Sequence, residues 1–291
     1  MGPGMLVIAE GIGIQAAWIM SVLIGFFAVL FGLAFGSFLN VCISRLPRHE
    51  SVVRPRSRCP RCGIGIRSRD NIPILSWILL RGRCRRCRWK IPWRYPAVEA
   101  TTAALFLLCD LQFGFSFAGV GMAVLCFLLL GLAVMDAETM RLPDAFTLPG
   151  IVLGVLYSGL LGGAGAGTRP VLPPWLVGGL WAILWAMLAA LLLLCVRWAY
   201  YLARGKEGMG VGDAKLLAMI AAWLGPSATL LTLLLGVISA AVWGGAWVAI
   251  SRGRRDSATT RLPLGAFLCA AAIYTIFAGG PIIRWYMRFF P

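Results

Sequence analysis

Long uncharged hydrophobic runs dominate the chain, and short clusters of charge separate them. The runs are residues 11–44, 100–109, 111–135, 145–168, 170–196, 216–251 and 262–283. A membrane-spanning helix needs roughly 20 apolar residues. The run from Leu216 is too long for one span and is broken at Gly225-Pro226, and residues 99–135 hold two spans that turn near residues 110–116. The pattern therefore predicts about eight transmembrane helices.

Composition is that of a polytopic membrane protein. The 291 residues are 60% hydrophobic and 13% charged, with a mean hydropathy of +0.84, whereas soluble domains are roughly 45–50% apolar. The first apolar run is far longer than the roughly 7–15-residue core of a signal peptide and has no basic region before it, so we expect it to be the first span. The predicted fold class is an all-α polytopic membrane protein.

Basic residues indicate the orientation. The net charge is +16, and 15 of the 27 Lys and Arg residues fall between Arg45 and Arg94. Because loops rich in Lys and Arg remain in the cytosol, this segment is predicted to be cytosolic. The sequence thus divides into a first span (residues 1–44), a cytosolic basic domain (45–95) and a transmembrane core of about seven spans (96–291).

Four cysteines in the basic domain form a metal-binding pattern. Two Cys-x-x-Cys pairs occur there, at Cys59 and Cys62 and at Cys84 and Cys87. This spacing is typical of a structural four-thiolate zinc site, with iron as the other metal. Disulfides or free thiols are the alternative, and a reducing cytosol disfavours disulfides. The sequence therefore predicts a small zinc-binding loop domain.

The arginines around these cysteines admit three interpretations. The domain is joined to the membrane on both sides, so anionic lipid headgroups are the nearest partner for its positive charge. The charge could also serve only to set the topology. Nucleic acid is the least favoured partner, and we expect no nucleic-acid binding.

Carboxylates are the main acid–base groups available for chemistry at the membrane. The only histidine is His49, so a His-Glu-x-x-His metalloprotease cannot be built, and His49 itself is expected to be a solvated loop residue. The remaining candidates near the bilayer are Glu99, Asp136, Glu138, Asp144, Asp213 and Lys215. Charged residues at such positions are costly and usually functional.

Asp136 and Asp213 are the strongest pair. Alternation of the spans puts both near the cytosolic face, at the end of the third span and the start of the sixth. Two carboxyls that share a proton supply one acid and one base, which activated-water hydrolysis of a peptide requires. The leading prediction is an intramembrane aspartyl protease. Asp213 could instead simply cap a helix, and Asp144 after Pro143 could do the same.

Several motifs together resemble the type IV prepilin peptidases, which are also called leader peptidase and N-methyltransferase. They are Gly210-Val211-Gly212-Asp213 followed by Ala214-Lys215, the segment from Asp136 to Pro143-Asp144, Gly36-Ser37-Phe38-Leu39-Asn40-Val41 with Arg45-Leu46-Pro47, and the two cysteine pairs. Each motif is weak alone, but the ordered set is specific. The resemblance extends from about Gly32 to Pro263.

The resemblance implies that Asp136 and Asp213 are catalytic. We also expect Gly210, Gly212, Lys215 and Asp144 to bind substrate or support the site, since glycines let an extended peptide come close to Asp213. Lys215 could favour ionised Asp213. It also implies that prepilins and type II secretion pseudopilins are cut after a glycine, between a basic leader and a hydrophobic helix, at the cytosolic face of the bacterial inner membrane.

A second activity is implied by the resemblance alone. The family methylates the new N-terminal amine with S-adenosylmethionine. The candidate residues for this reaction are Gly36, Asn40, Arg45, Gly82 and Glu99.

Two other functions stay open from the sequence. Paired aspartates with broken helices also describe an ion-coupled transporter. Two carboxylates at one face and no apparent inverted repeat disfavour it. A zinc-bearing structural scaffold would have no need of Asp213. The sequence does not indicate an oligomeric state.

Overall fold

The computed structural model describes residues 3–162, 173–206, 210–250 and 262–289, with side chains from Trp18 onward. In these residues the secondary structure is helical apart from two isolated β-bridges in the cysteine-containing segment. The helices are α1 (Pro3–Arg45), α2 (Leu75–Leu79), α3 (Arg94–Phe113), α4 (Phe117–Thr139), α5 (Asp144–Gly162), α6 (Pro174–Arg204), α7 (Val211–Ile250) and α8 (Leu264–Met287). The all-α polytopic prediction is confirmed.

Among the residues that the structure describes, six helices are long and apolar enough to cross a membrane. They are α1, from Trp18, and α4, α5, α6, α7 and α8. The predicted turn near residues 110–116 lies between α3, which ends at Phe113, and α4, which begins at Phe117. The predicted count of about eight spans is reached if α3 also spans the membrane and α7 is counted as two spans, one on each side of its break at Gly225.

A break divides α7 at the predicted place. Gly225 has φ 74° and ψ −177°, a backbone conformation that glycine adopts at little cost, and Pro226 follows without an N–H to donate. The hydroxyl of Thr229 donates to the Gly225 carbonyl at 2.6 Å. Pro226 leaves the carbonyl four residues earlier, that of Ala222, without its helical donor, and the Ser158 hydroxyl donates to it at 2.7 Å. The carbonyl groups at the break therefore have polar partners, as apolar surroundings require.

The chain forms two compact units, residues 1–41 with 53–127, and residues 42–52 with 128–291. In the first unit, α1 and α3 approach closely at glycines. A Cβ on Gly32 would lie 2.5 Å from Ala103 Cα, and one on Gly36 would lie 2.7 Å from Glu99 Cα. Only residues without side chains allow such a contact between helix backbones.

The second unit packs α5, α6, α7 and α8 around small residues. A Cβ on Gly154 of α5 would lie 2.5 Å from Trp223 Cδ1 of α7. Trp223 donates its Nε1–H to the Gly150 carbonyl at 2.8 Å, and Ser158 donates to the Ala222 carbonyl at 2.7 Å. These hydrogen bonds hold α5 against the first half of α7, which carries Asp213 in its first turn.

Candidate active site

Asp136 lies in the last turn of α4 and is 6% exposed. Its Oδ2 accepts a hydrogen bond from the Ala266 N–H at 2.9 Å, and the Gly265 N–H also donates to this carboxyl. Gly265 and Ala266 belong to the first turn of α8, whose N–H groups have no partner inside the helix. The Asp136 carboxyl is therefore held at the N-terminus of α8, where a negative charge is favoured.

Gly265 makes this arrangement possible and was not identified from the sequence. A Cβ at Gly265 would lie 2.9 Å from Asp136 Oδ2 and 3.0 Å from Leu142 Cδ1. The Ala266 N–H also reaches the Pro263 carbonyl at 3.1 Å, so it is shared between two acceptors, as is common at helix ends. Pro263 near the start of the last apolar run was the available signal, since proline is common where a helix begins.

Asp213 is the third residue of α7. Its carboxyl accepts a hydrogen bond from the Gly210 N–H, just before the helix. This is the reciprocal half of a capping box, in which the third helical residue reaches back to the N-cap amide. Asp213 is thus not itself the N-cap residue, and the hydrogen bond fixes where its carboxyl points.

The neighbouring glycine is explained by packing. A Cβ at Gly212 would lie 3.1 Å from Leu142 Cβ, so the α4–α5 connection closes against the start of α7. A Cβ at Gly210 would lie 3.6 Å from Asp213 Oδ2, which is ordinary contact.

Both aspartates line one cavity of about 580 Å³. The other lining residues are Leu46, Pro47, His49, Glu50, Met140, Arg141, Leu142, Pro143, Asp144, Ala145, Gly210 and Gly212. The structure therefore brings Asp136 and Asp213 together, with Gly210, Gly212 and Asp144 around them. A cavity that holds two carboxyls and opens to water can bind an extended peptide and activate a water molecule.

Lys215 lies beside this cavity but contacts a different acid from the one expected. Its Nζ donates to Asp144 Oδ1 at 2.7 Å. The expectation that Lys215 acts on Asp213 therefore finds no support in the hydrogen bonds of the described residues. Asp144 is the first residue of α5, so the ion pair joins the start of α5 to the start of α7.

The four predicted metal-binding cysteines come together in the first unit. Their sulfur atoms all lie within 4.8 Å of one another, and Cys59 Sγ is 3.7 Å from Cys87 Sγ. Tetrahedral zinc with Zn–S bonds of about 2.3 Å places sulfurs about 3.8 Å apart, so the donor set fits this metal. Backbone N–H groups of Cys87 and Arg86 lower the pKa of the Cys84 thiol to about 7, which favours the thiolate that binds metal.

The two cysteine turns have the same backbone design. The N–H of Cys59 donates to the Ile64 carbonyl at 2.9 Å, and that of Cys84 donates to the Trp89 carbonyl at 2.8 Å. In each turn the fifth residue has positive φ, 69° at Gly63 and 56° at Arg88. Each turn therefore directs its two cysteine sulfur atoms to the same side, and the four sulfur atoms of the two turns meet in one cluster.

Three residues suggested for methyl transfer lie where α1 packs on α3. Glu99 is 8% exposed and accepts the Ile74 N–H at 2.7 Å, while Asn40 donates to the Tyr95 carbonyl at 3.0 Å. Gly36 is in close contact with Glu99, as described above. Each of these contacts also has a structural role. The Glu99 bond joins α3 to the cysteine loop, and the contacts of Asn40 and Gly36 join α1 to α3.

The other two suggested residues have local structural explanations. Gly82 has φ 62°, and a Cβ there would lie 2.9 Å from Trp77 Cζ2. Its need for glycine therefore follows from packing in the cysteine loop. Arg45 donates from Nη1 to the Ser51 carbonyl at 2.9 Å and so fixes the turn after α1.

Comparison with known proteins identifies two family domains. Residues 30–113 match the bacterial peptidase A24 N-terminal domain, and residues 123–245 match the type IV leader peptidase family. No solved structure matches the chain.

Three curated relatives are each named prepilin leader peptidase/N-methyltransferase. The protein of Burkholderia pseudomallei strain 1026b is 38% identical over 284 residues, covering 88% of this chain and 85% of the relative. That of Aeromonas salmonicida strain A449 is 35% identical and covers 89% and 92%, and that of Pseudomonas aeruginosa is 35% identical and covers 90% and 92%. This chain therefore belongs to the type IV leader peptidase family.

Proposed function

We propose that this chain cleaves the basic leader from prepilins and type II secretion pseudopilins and then methylates the new N-terminal amine. The observation that carries the proposal is the cavity that both Asp136 and Asp213 line, beside the glycines of the Gly210–Asp213 motif. The relatives' shared name supports prepilins as substrates and both activities. No finding supports the transporter alternative.

The two carboxyls act as one acid and one base. With one proton shared between them, the ionised carboxyl takes a proton from water, whose oxygen attacks the carbonyl carbon of the scissile peptide. The protonated carboxyl donates its proton to the carbonyl oxygen. The tetrahedral intermediate then collapses and its C–N bond breaks. The leaving amine takes up the proton that the dyad removed from water, and one hydroxyl of the intermediate returns its proton to the other carboxyl, which restores the shared proton. The α8 N-terminus keeps the Asp136 carboxyl in place during these transfers.

The location follows from the same proposal. We place the protein in the bacterial inner membrane with the dyad near the cytosolic face, because the basic segment between Arg45 and Arg94 favours that side. The cysteine cluster binds zinc, and the arginines around it contact anionic lipid headgroups.

Single replacements of the aspartates test the dyad. Asp136→Asn and Asp213→Asn keep the size of each side chain and an oxygen acceptor for the backbone N–H groups, but remove the carboxyl. We expect each to lower the rate of prepilin cleavage by at least about 10²-fold, the usual contribution of a general acid or base. Glu138→Gln, two residues beyond Asp136, is the matched control and should cleave normally.

The assay uses the full chain in lipid with a prepilin that carries its leader, with and without S-adenosylmethionine, and reads intact mass. Loss of the leader and gain of one methyl group together support both activities. Retained cleavage in both aspartate variants would refute the dyad. Cleavage without methylation would remove the methyltransferase from the proposal.

S-Adenosylmethionine supplies the methyl group, and we propose that Gly36, Asn40, Arg45, Gly82 and Glu99 support this step. Glu99→Gln is the most informative variant, because glutamine keeps an oxygen acceptor for the Ile74 amide while losing the charge. Lost methylation with normal cleavage supports a role for the Glu99 charge opposite a cationic donor. Normal methylation would exclude that role.

A further inference from the structure

The cavity with the dyad is an acidic site in a strongly basic protein. The chain has 27 Lys and Arg residues and 11 Asp and Glu residues. Four of those acids, Glu50, Asp136, Asp144 and Asp213, line the cavity, whereas Arg141 is the one Lys or Arg among the described residues that does so. Such a local reversal of sign favours a cationic ligand.

Two of the charges around the cavity are already engaged. Asp144 is paired with Lys215 at 2.7 Å. Arg141 donates from Nη1 to the Pro47 carbonyl at 3.1 Å, and so joins the α4–α5 connection to the turn after α1. Asp136 and Asp213 are occupied by the chemistry proposed above. Among the described residues that line the cavity, Glu50 is therefore the acid that neither this ion pair nor the proposed chemistry uses.

Within the described parts of the chain, the Glu50 carboxylate has no cationic partner within 4.0 Å. It is exposed, so water satisfies it in the free protein. A ligand that enters the cavity and displaces this water must supply a compensating cation or hydrogen-bond donor, because an unpaired carboxylate is costly away from water.

The backbone that carries Glu50 is fixed. The Glu50 N–H donates to the Arg45 carbonyl at 3.1 Å, and the His49 N–H donates to the Leu46 carbonyl at 3.0 Å. His49 has φ 58°, and these two bonds with a left-handed residue form a Schellman motif. The turn fixes the point from which the Glu50 side chain extends into the lining of the cavity, which favours a selective contact with a bound ligand.

We propose that Glu50 is a specificity-determining residue that accepts a lysine or arginine side chain of the leader near the cleaved bond. This inference rests on the proposed function, because it concerns how the same cavity selects its substrate. Glu50 forms an ion pair with the bound leader and takes no part in the proton transfers. Its replacement therefore affects KM for basic leaders and leaves kcat unchanged.

Paired substrates and variants test this assignment. One prepilin keeps its basic leader, and the others have the leader's Lys and Arg residues replaced singly by Gln or by Glu. With the full chain in lipid, Glu50→Gln should raise KM for the basic leader about five-fold, the upper range for an exposed ion pair. Glu50→Gln should not change KM for the leader in which the Lys or Arg nearest the cleaved bond has been replaced by Gln. Glu50→Lys should prefer the leader with Glu at that position.

Two controls separate this effect from others. Glu138→Gln removes a nearby acid that does not line the cavity. It should leave KM unchanged both for the basic leader and for the leaders with replaced Lys or Arg residues. The difference between the original chain and Glu50→Gln should shrink at high salt, since screening weakens exposed charge pairs.

The outcomes distinguish this inference from the proposed function. Equal KM values for Glu50→Gln and the original chain on the basic leader, or equal losses on all leaders, would overturn the role of Glu50 while leaving the protease intact. Failure of the original chain to cut any leader would instead overturn the proposed function.

Discussion

Replacing Gly265 with alanine should displace the Asp136 carboxyl while leaving the fold intact. The added Cβ would lie 2.9 Å from Asp136 Oδ2 and 3.1 Å from its Cγ, whereas ordinary contacts begin at 3.4 Å. The carboxyl must therefore move by about 0.5 Å, from 2.9 to 3.4 Å. This movement weakens the hydrogen bond from the Ala266 N–H, which is 2.9 Å long.

The two consequences of this change have different sizes. A misplacement of about 1 Å in an active site can lower the rate about 10²-fold. A displacement of about 0.5 Å should therefore lower kcat about 10-fold. Stability should change by less than about 1 kcal/mol, because alanine is favoured over glycine in a helix by about that amount and offsets the new crowding. Leu142 Cδ1, 3.0 Å from the added Cβ, is the end of a flexible side chain and can rotate away.

The assay measures kcat and KM for prepilin cleavage together with the thermal midpoint of the protein in lipid. Gly245→Ala is the matched control, since a Cβ there meets no atom within 4 Å. An unchanged kcat in Gly265→Ala would refute the reasoning. Full recovery of kcat on adding Leu142→Ala would also refute it, because the crowding that matters would then be against Leu142 and not Asp136.

Three further predictions concern packing, metal and charge. Gly154→Ala should destabilise the protein by about 1–3 kcal/mol in thermal or denaturant unfolding, since its Cβ would lie 2.5 Å from Trp223 Cδ1; unchanged stability would contradict the packing of α5 on α7. Metal analysis should find one zinc per chain. Cys62→Ser or a chelator should remove the zinc and make the arginine-rich loop accessible to trypsin. A metal-free protein that resists trypsin as well as the zinc-bound protein would contradict a structural metal site. Lys215→Met should cost less than about 1 kcal/mol of stability in the same unfolding measurement, because its partner Asp144 is 57% exposed; a larger loss would show a stronger tie between α5 and α7.

Much of the architecture was predictable because it depends on local properties of the chain. Apolar runs of sufficient length indicated the spanning helices, and the Gly225-Pro226 pair located the break in α7. The spacing of the four cysteines predicted a cluster that the structure confirms. In each case the residue type or the spacing itself restricts the backbone or the ligand geometry, so few long-range contacts are needed.

The pairing of Asp136 with Asp213 was predictable only in part. Alternation of the spans placed both carboxyls at one face, but many arrangements of helices satisfy that condition. The contacts of α5 with α7 and the close approach of Leu142 to Gly212 select the arrangement in which both line one cavity. Helix packing, which the hydrophobic pattern does not specify, made this choice.

The sequence by itself determined the helical membrane class, the pattern of four cysteines and the choice of Asp136 and Asp213 as the candidate pair, because hydropathy, spacing and residue chemistry are properties of the chain. Only the tertiary structure decided how those aspartates are held. The Ala266 amide that binds Asp136 lies 130 residues away, on a helix whose own pattern gives no sign of that contact. Likewise, Lys215 is two residues from Asp213 but pairs with Asp144, since the direction of a side chain depends on which helix packs beside it.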